Sequence, residues 1–317
     1  NITVDWVLSI ANLKILPPQI LSLGRTGAVN FHDGPLPRRA GLNAPIWALI
    51  EGETTHGITW HLIDEGVDTG DILVERSIDI SPHDTALTLN TKCYEAGLTS
   101  FTDLLHELTH GLPNRRAQGM SHRSYHALTD RPEANGVLRF DQPASGAKRL
   151  IRALDHGTYW NPLCTPKLVI CDLILNIGAA SLTESSAAPG TVIAVDEASL
   201  TVAFADGALQ MKNLTGTDGK SANPSRHVAL GNVLPSLSDT DRAAITDAMR
   251  PVAKMEGHWR RMFARVVPLS LPFTRSDDSA LTTRDTPIHS EHLGAALGCL
   301  AQRLSPEHAP VLAFSNP

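Results

Sequence analysis

The chain has 317 residues, 42% of them apolar and 19% charged, with a formal net charge of -6 and a pI near 6.2. That length allows about two domains, and that apolar content allows real cores. The acidic balance argues against a general polyanion binder, and no apolar run approaches the roughly 18 residues of a membrane span.

The four cysteines, Cys93, Cys164, Cys171 and Cys299, form no CxxC pair and no knuckle spacing, so reduced thiols are expected. With no signal-peptide pattern either, the expected place is the cytoplasm, with no membrane partner. The first residue is Asn1 rather than Met, and an apolar strand follows almost at once, which reads as a piece of a longer polypeptide.

Trp6 to Ala11 reads as a buried strand, and Pro17-Pro18 punctuates it before a short helix begins at Ile20 to Leu23. Ala28 to Phe31 is a second apolar run, ending in the turn-rich loop DGPLPRRAGLN. Asn43 is placed to cap a helix that carries Pro45 in its first turn and Ile46, Trp47, Leu49 and Ile50 beyond it. Gly57 to Ile63 is rich in β-formers; the loop EGVDTG follows, then a strand from Ile72 to Ile80. Ser81-Pro82 is expected to open a long helix reaching about His110, with apolar residues at helical spacing. This order of strand and helix predicts an α/β architecture, with polar residues of interest in loops that follow strands.

Gly111 to about Asn135 is polar and rich in Pro, Arg and His, and reads as a linker. Lys148 to Leu154 suggests a helix. Short β-like runs follow at Lys167–Leu175, Gly190–Val195, Leu200–Phe204 and Ala208–Leu214, with Asp206-Gly207 as a turn; their spacing suggests a small barrel-like domain. Ser238 to Phe263 is helical by period, with Ser238 as its cap, and the tail beyond Arg275 has no clear period. The expected division is 1–112, a catalytic domain; 113–134, a linker; 135–225, a β-barrel-like domain; and 226–317, a helical and irregular tail.

Asn30-x-His32 closes one strand, and Asp68 stands in the loop VDTGDI between two others. An amide, an imidazole and a carboxylate that converge suit addition of an amine to an activated acyl carbon. Asn30 and a protonated His32 would donate to the oxyanion of the tetrahedral intermediate. Asp68 would favour the charged imidazole and help take the proton of the attacking amine. The plainer reading is that a loop Asn or His caps a turn and that Asp68-Thr69-Gly70 is only a tight turn. His106 and His110 have zinc-ligand spacing, but no HExxH and no third ligand accompany them, so no metal is expected. His122 and His126 receive the same discount, and Trp47, Trp60 and Trp259 read as packing residues.

The string NFHDGPLPRRAGLNAPIWALIEGETTHGITWHLIDEGVDTGDIL resembles the core of the 10-formyltetrahydrofolate-dependent formyltransferase family. Asn-x-His, a loop ending Leu-Pro, and an Asp in a Val/Leu-Asp-x-Gly loop occur in the family's order and separation. The resemblance implies a Rossmann-like catalytic domain, lacking its first strands, with Asn30, His32 and Asp68 as the catalytic trio. It also implies folate contacts from Gly34, Pro35, Leu36 and Pro37, and a pterin pocket lined by Ile15, Leu16 and the Ile63–Val67 loop, Asp64 and Val67 included. The segments AKRLIRALDHGTYWNPLCTPKL, PGTVIAV and DGALQMKNL resemble the C-terminal, OB-type barrel domain of methionyl-tRNA formyltransferases. HDGPLPxxAGLNAxxWA is most similar to formyltransferase domains of nonribosomal peptide and polyketide synthases, and GHWRRMFARVVPLSLPF is similar to a joining stretch in them. By this resemblance the donor is 10-formyltetrahydrofolate and the acceptor is an aminoacyl unit on a carrier protein. Initiator methionyl-tRNA and an amino sugar nucleotide are alternative acceptors. Hydrolysis of the donor and an inactive docking module are the remaining alternatives.

Overall fold

The structure is a computed structural model that describes residues 4–171 and 173–264. The chain divides into two compact units, Asn1–Lys254 and Met255–Pro317. The aperiodic tail beyond Arg275 and Cys299 lie outside the described residues.

The first half of the larger unit holds β1 (Val4–Ser9), α1 (Pro18–Leu21), β2 (Gly24–His32), β3 (Ala40–Gly41), α2 (Ala44–Glu51), β4 (Thr55–Leu62), β5 (Ile72–Asp79) and α3 (Ala86–Thr109). Its four-stranded sheet runs β1-β2-β4-β5. Only β1 and β2 are parallel; β4 returns antiparallel to β2, and β5 antiparallel to β4. Alternation along β2 sends Val29 and Phe31 to one face, where they pack with Ile58, Trp60, Leu89 and Leu104. The intervening Asn30 and His32 therefore face away from that core. α3 covers the apolar face, and the indole N–H of buried Trp60 donates to Ser100 Oγ of that helix at 2.9 Å.

α3 starts four residues later than Ser81-Pro82 suggests. Ser81 instead makes a turn in which its N–H donates to Asp84 Oδ2 at 2.6 Å, and Thr85 caps the helix reciprocally with Thr88. Asn43 does precede α2, but its side chain makes no capping bond; it sits at φ 60°, a left-handed position that Asn tolerates well.

The segment read as a linker contains β6 (Tyr125–His126), which pairs in parallel with β3. Then come α4 (Ala144–Ala153), β7 (Lys167–Ile170), β8 (Leu173–Thr183), β9 (Val192–Val195), β10 (Ser199–Phe204) and β11 (Gly207–Gly216). The single run expected over Lys167–Leu175 is thus two strands of a hairpin, broken at Cys171, whose φ is 48°. This sheet is antiparallel in the order β7-β8-β11-β10-β9 and curls as a half-barrel round Leu168, Ile170, Val202, Phe204 and Leu209. α5 (Asp239–Phe263) follows, with Ser238 Oγ accepting from Asp241 N–H at 3.1 Å as its cap. Among the described residues no helix is long and apolar enough to cross a membrane.

Candidate active site

The register of β2 against β4 sets Asn30 opposite His61 and His32 opposite Thr59, so four polar residues share the face turned away from the core. Nδ2 of Asn30 lies 3.2 Å from Nε2 of His61, and that nitrogen lies 3.4 Å from Oδ1 of Asp68. The other carboxylate oxygen, Oδ2, is 3.7 Å from Nδ1 of His32. Asn30 and His32 at the end of β2 thus meet Asp68 from a loop distant in sequence, with His61 as the unforeseen fourth member. The signal for His61 was present: Thr59-x-His61 repeats the period-two pattern of Asn30-x-His32 on the neighbouring strand.

Hydrogen-bond partners orient the two rings. Nε2 of His32 faces the carbonyl oxygen of Arg39 at 2.7 Å, and Nδ1 of His61 faces that of Leu62 at 2.8 Å. A carbonyl only accepts, so each of these nitrogens carries its hydrogen. His32 therefore turns Nδ1 toward Asp68. At 3.7 Å this is long for a direct bond. Nε2 of His61 accepts from Asn30 when the ring is neutral and donates to Asp68 when it is protonated.

Asp68 is held in the left-handed region at φ 53°. The N–H of Gly41 donates to its Oδ2 at 2.8 Å. Burial raises the pKa of this carboxyl, but the His61 bond, the charge of His32 and the Gly41 N–H outweigh that and bring it to about 2. Glycine is required at several places, Gly34 and Gly70 among them. A Cβ on Gly34 would stand 2.7 Å from Nε2 of His32, and one on Gly70 would stand 1.9 Å from the carbonyl oxygen of Leu62.

Segment 113–134 packs against both loops. Gln118 Nε2 donates to the carbonyls of Asp68 and Gly70 at 3.1 and 2.7 Å, and Arg123 donates to that of Val67 at 2.9 Å. The N–H of Ala40 donates to Ser124 O at 3.0 Å and that of Leu42 to His126 O at 3.0 Å. Nothing in its polar composition signalled these roles, because backbone carbonyls are their targets.

The predicted folate contacts divide. Ile15 is 86% exposed and Leu16 half-buried, both in the loop after β1. Ile63 is half-buried, with its N–H donating to Ala28 O at 2.8 Å; Asp64 accepts from Gly66 N and Thr69 Oγ1; Val67 is exposed. Gly34 is buried against His32, whereas Pro35, Leu36 and Pro37 line a cavity of about 320 Å³ with Arg38, His56 and Arg76. Asn30, His32, His61 and Asp68 are not among its walls. Thr59 fixes this loop from below, donating to Gly34 O at 2.8 Å and accepting from Leu36 N–H at 3.1 Å.

Among the described residues no cluster of three or more His, Cys, Asp or Glu side chains could hold a metal ion, and His106 and His110 stack on each other at 4.0 Å.

Residues 1–105 match the formyl transferase family, and residues 132–229 match the formyl transferase C-terminal domain. The methionyl-tRNA formyltransferase of Pseudomonas syringae pv. tomato is 31% identical over 220 residues, covering 69% of this chain and 67% of that protein. That of Geobacter metallireducens is 31% identical over 211 residues, covering 66% of this chain and 65% of its own length, so the chain spans just under two thirds of that relative. Among solved structures, HypX from Aquifex aeolicus in complex with tetrahydrofolic acid shares the fold, with a TM-score of 0.53 and 17% identity over 68% of this chain and 36% of that one. By its two matched domains and its relatives, the chain belongs to the formyltransferase family.

Proposed function

We propose that this chain carries the centre of an N-formyltransferase that moves a formyl group from 10-formyltetrahydrofolate to a primary amine, in an aminoacyl unit tethered to a carrier protein. The observation that carries the reaction class is the convergence of Asn30, His32, His61 and Asp68 on one face of the sheet, 3.2 to 3.7 Å apart in sequence of contact. The amine nitrogen attacks the formyl carbon, and the bond from that carbon to the folate nitrogen breaks. One proton must leave the amine and one must reach the folate nitrogen. Asn30 Nδ2–H and, in the protonated ring, Nδ1–H of His32 are the donors to the developing oxyanion. Asp68, ionised at neutral pH, receives the amine proton directly or through water and passes it on. Names of relatives support the one-carbon chemistry, and the tetrahydrofolic acid in the HypX crystal supports a folate donor.

Charge favours the carrier over tRNA. Residues 132–229, matched to the C-terminal domain, hold eight Lys and Arg against nine Asp and Glu. A phosphate-tracking surface is expected to be basic. The motif HDGPLP followed by AGLNA points the same way by its resemblance to synthase domains.

The test supplies the full chain with 10-formyltetrahydrofolate and either an aminoacyl-loaded carrier or initiator methionyl-tRNA, reading the formyl amide by mass spectrometry. Formylation of the carrier-bound amine is expected. Transfer to tRNA alone would overturn the acceptor; no transfer to any amine would overturn the reaction and favour a docking module or donor hydrolysis. His32→Ala should keep its thermal unfolding profile and lose turnover by on the order of a hundredfold or more. A fully active variant would remove His32 from the mechanism.

A further inference from the structure

We propose that Arg39 is a positioning residue for His32: its buried guanidinium, clamped by Glu51 and Glu53, holds its own carbonyl oxygen where Nε2 of His32 donates to it. The inference rests on the reading of His32 as part of the formyl-transfer site.

Arg39 is 2% exposed, whereas its neighbour Arg38 has a side chain that is 49% exposed. A guanidinium is costly to bury without partners. Here NH2 lies 2.6 Å from Oε2 of Glu51 and 2.9 Å from Oε1 of Glu53, at the C-terminal end of α2. Burial draws the guanidinium pKa down, yet the bonds to Glu51 and Glu53 more than reverse it, so the clamp stays charged at both ends. The backbone of Arg39 has φ 62°, a conformation that an L side chain adopts only where its surroundings over-determine it. Three contacts do so: the clamp, the N–H donating to Ser124 Oγ at 2.9 Å, and the carbonyl accepting from His32 at 2.7 Å. Glu51 is itself tied in place. Its Oε1 lies 3.4 Å from Nε2 of His126, and that ring stacks on Trp47 at 4.2 Å, nearly parallel. The chain of contacts runs from a packed helix end through one side chain to the hydrogen bond that fixes which nitrogen of His32 faces Asp68.

Two readouts test this on the full chain. The first is the ring-nitrogen NMR spectrum of histidine-labelled protein without substrate, where the Nε2–H of His32 should exchange slowly. The second is kcat and KM for 10-formyltetrahydrofolate. In Arg39→Met that proton should exchange fast, and kcat should fall by about ten- to a hundredfold with KM within about twofold, as expected for a misplaced catalytic group. Arg39→Lys, which reaches one carboxylate at a time, should recover part of both. An unchanged Nε2–H signal in Arg39→Met, or a loss carried by KM alone, would overturn the proposal. Should Arg39→Met fail to fold, Glu51→Gln removes one arm of the clamp from a partly exposed position. It should move both readouts in the same direction by less, and no movement in either overturns the idea. If Arg39→Met alters the His32 signal while the wild-type chain transfers no formyl group, the positioning stands and the functional reading falls.

Discussion

His56 sits at 4% exposure against the loop that follows His32, with its Nε2 2.8 Å from the carbonyl oxygen of Asp33. Burial is the main cause that lowers its pKa from 6.5 to about 4; the Asp33 carbonyl opposes the shift, and the charges of Arg39 and His32 add to it. Above pH 6.5 the ring is neutral in folded and unfolded chains alike, so the folded state bears no protonation penalty there. As the pH falls toward 4, the unfolded chain takes up a proton that the folded one refuses. Stability therefore declines across that window, by about 1.4 kcal/mol per pH unit and about 3 kcal/mol in all. Asp68, brought down from 3.8 to about 2, stays ionised in the folded chain while the unfolded chain begins to protonate it below about pH 5, so it steepens the same decline at the acid end. His126 and His156 are shifted down by burial as well and act in the same direction. In His56→Gln, urea midpoints at pH 7 and pH 4.5 should lie closer together than in the wild-type chain. Equal slopes in the two proteins would mean that His56 is reached by water and titrates normally.

At the level of elements, periodicity made β2, β4, β5 and the apolar stripe of α3 legible, because each lays its apolar face against the same core. It also placed Asn30 and His32 together, and a motif at fixed separation supplied Asp68. What was not legible depends on backbone geometry or on partners distant in sequence. The start of α3 was hidden because Ser81-Pro82 and Thr85 are both competent caps, and only Thr85 finds its partner in Thr88. The break between β7 and β8 rests on one left-handed residue, Cys171. The grip of segment 113–134 on the loops of the candidate site is made by side chains donating to main-chain carbonyls, which no composition reveals. Gln118 is the sharpest case, since one amide spans Asp68 O and Gly70 O while Asp68 holds a positive φ. Gln118→Leu should free that loop. Amide exchange in residues 66–71 should quicken, and kcat should fall by on the order of tenfold with the fold retained. Unchanged exchange in 66–71 would show that Arg123 and the Gly41 N–H hold Asp68 unaided.

Across the larger unit, two apolar cores are joined by one helix. α4 gives Ala147 and Ile151 to the core of the half-barrel and Ala153 to the core of the α/β sheet, while Leu150 packs against both. Its polar side chains reach the same way. Arg149 Nε donates to Ile50 O at 3.0 Å at the end of α2, and Arg152 donates to the carbonyls of Ser81, Pro82 and Asp84 at 2.8 to 3.1 Å before α3. A helix so shared makes each core the support of the other, which predicts a common opening free energy rather than two independent ones. Leu150→Ala tests it in the full chain by native-state hydrogen exchange. The substitution removes a half-buried side chain and should cost roughly 1–3 kcal/mol. That loss should appear equally in the slowest amides of β4, from the first core, and of β10, from the second. Were only one strand to lose protection, α4 would belong to a single core, and the contacts of Arg149 and Arg152 would be surface ties between modules that open separately.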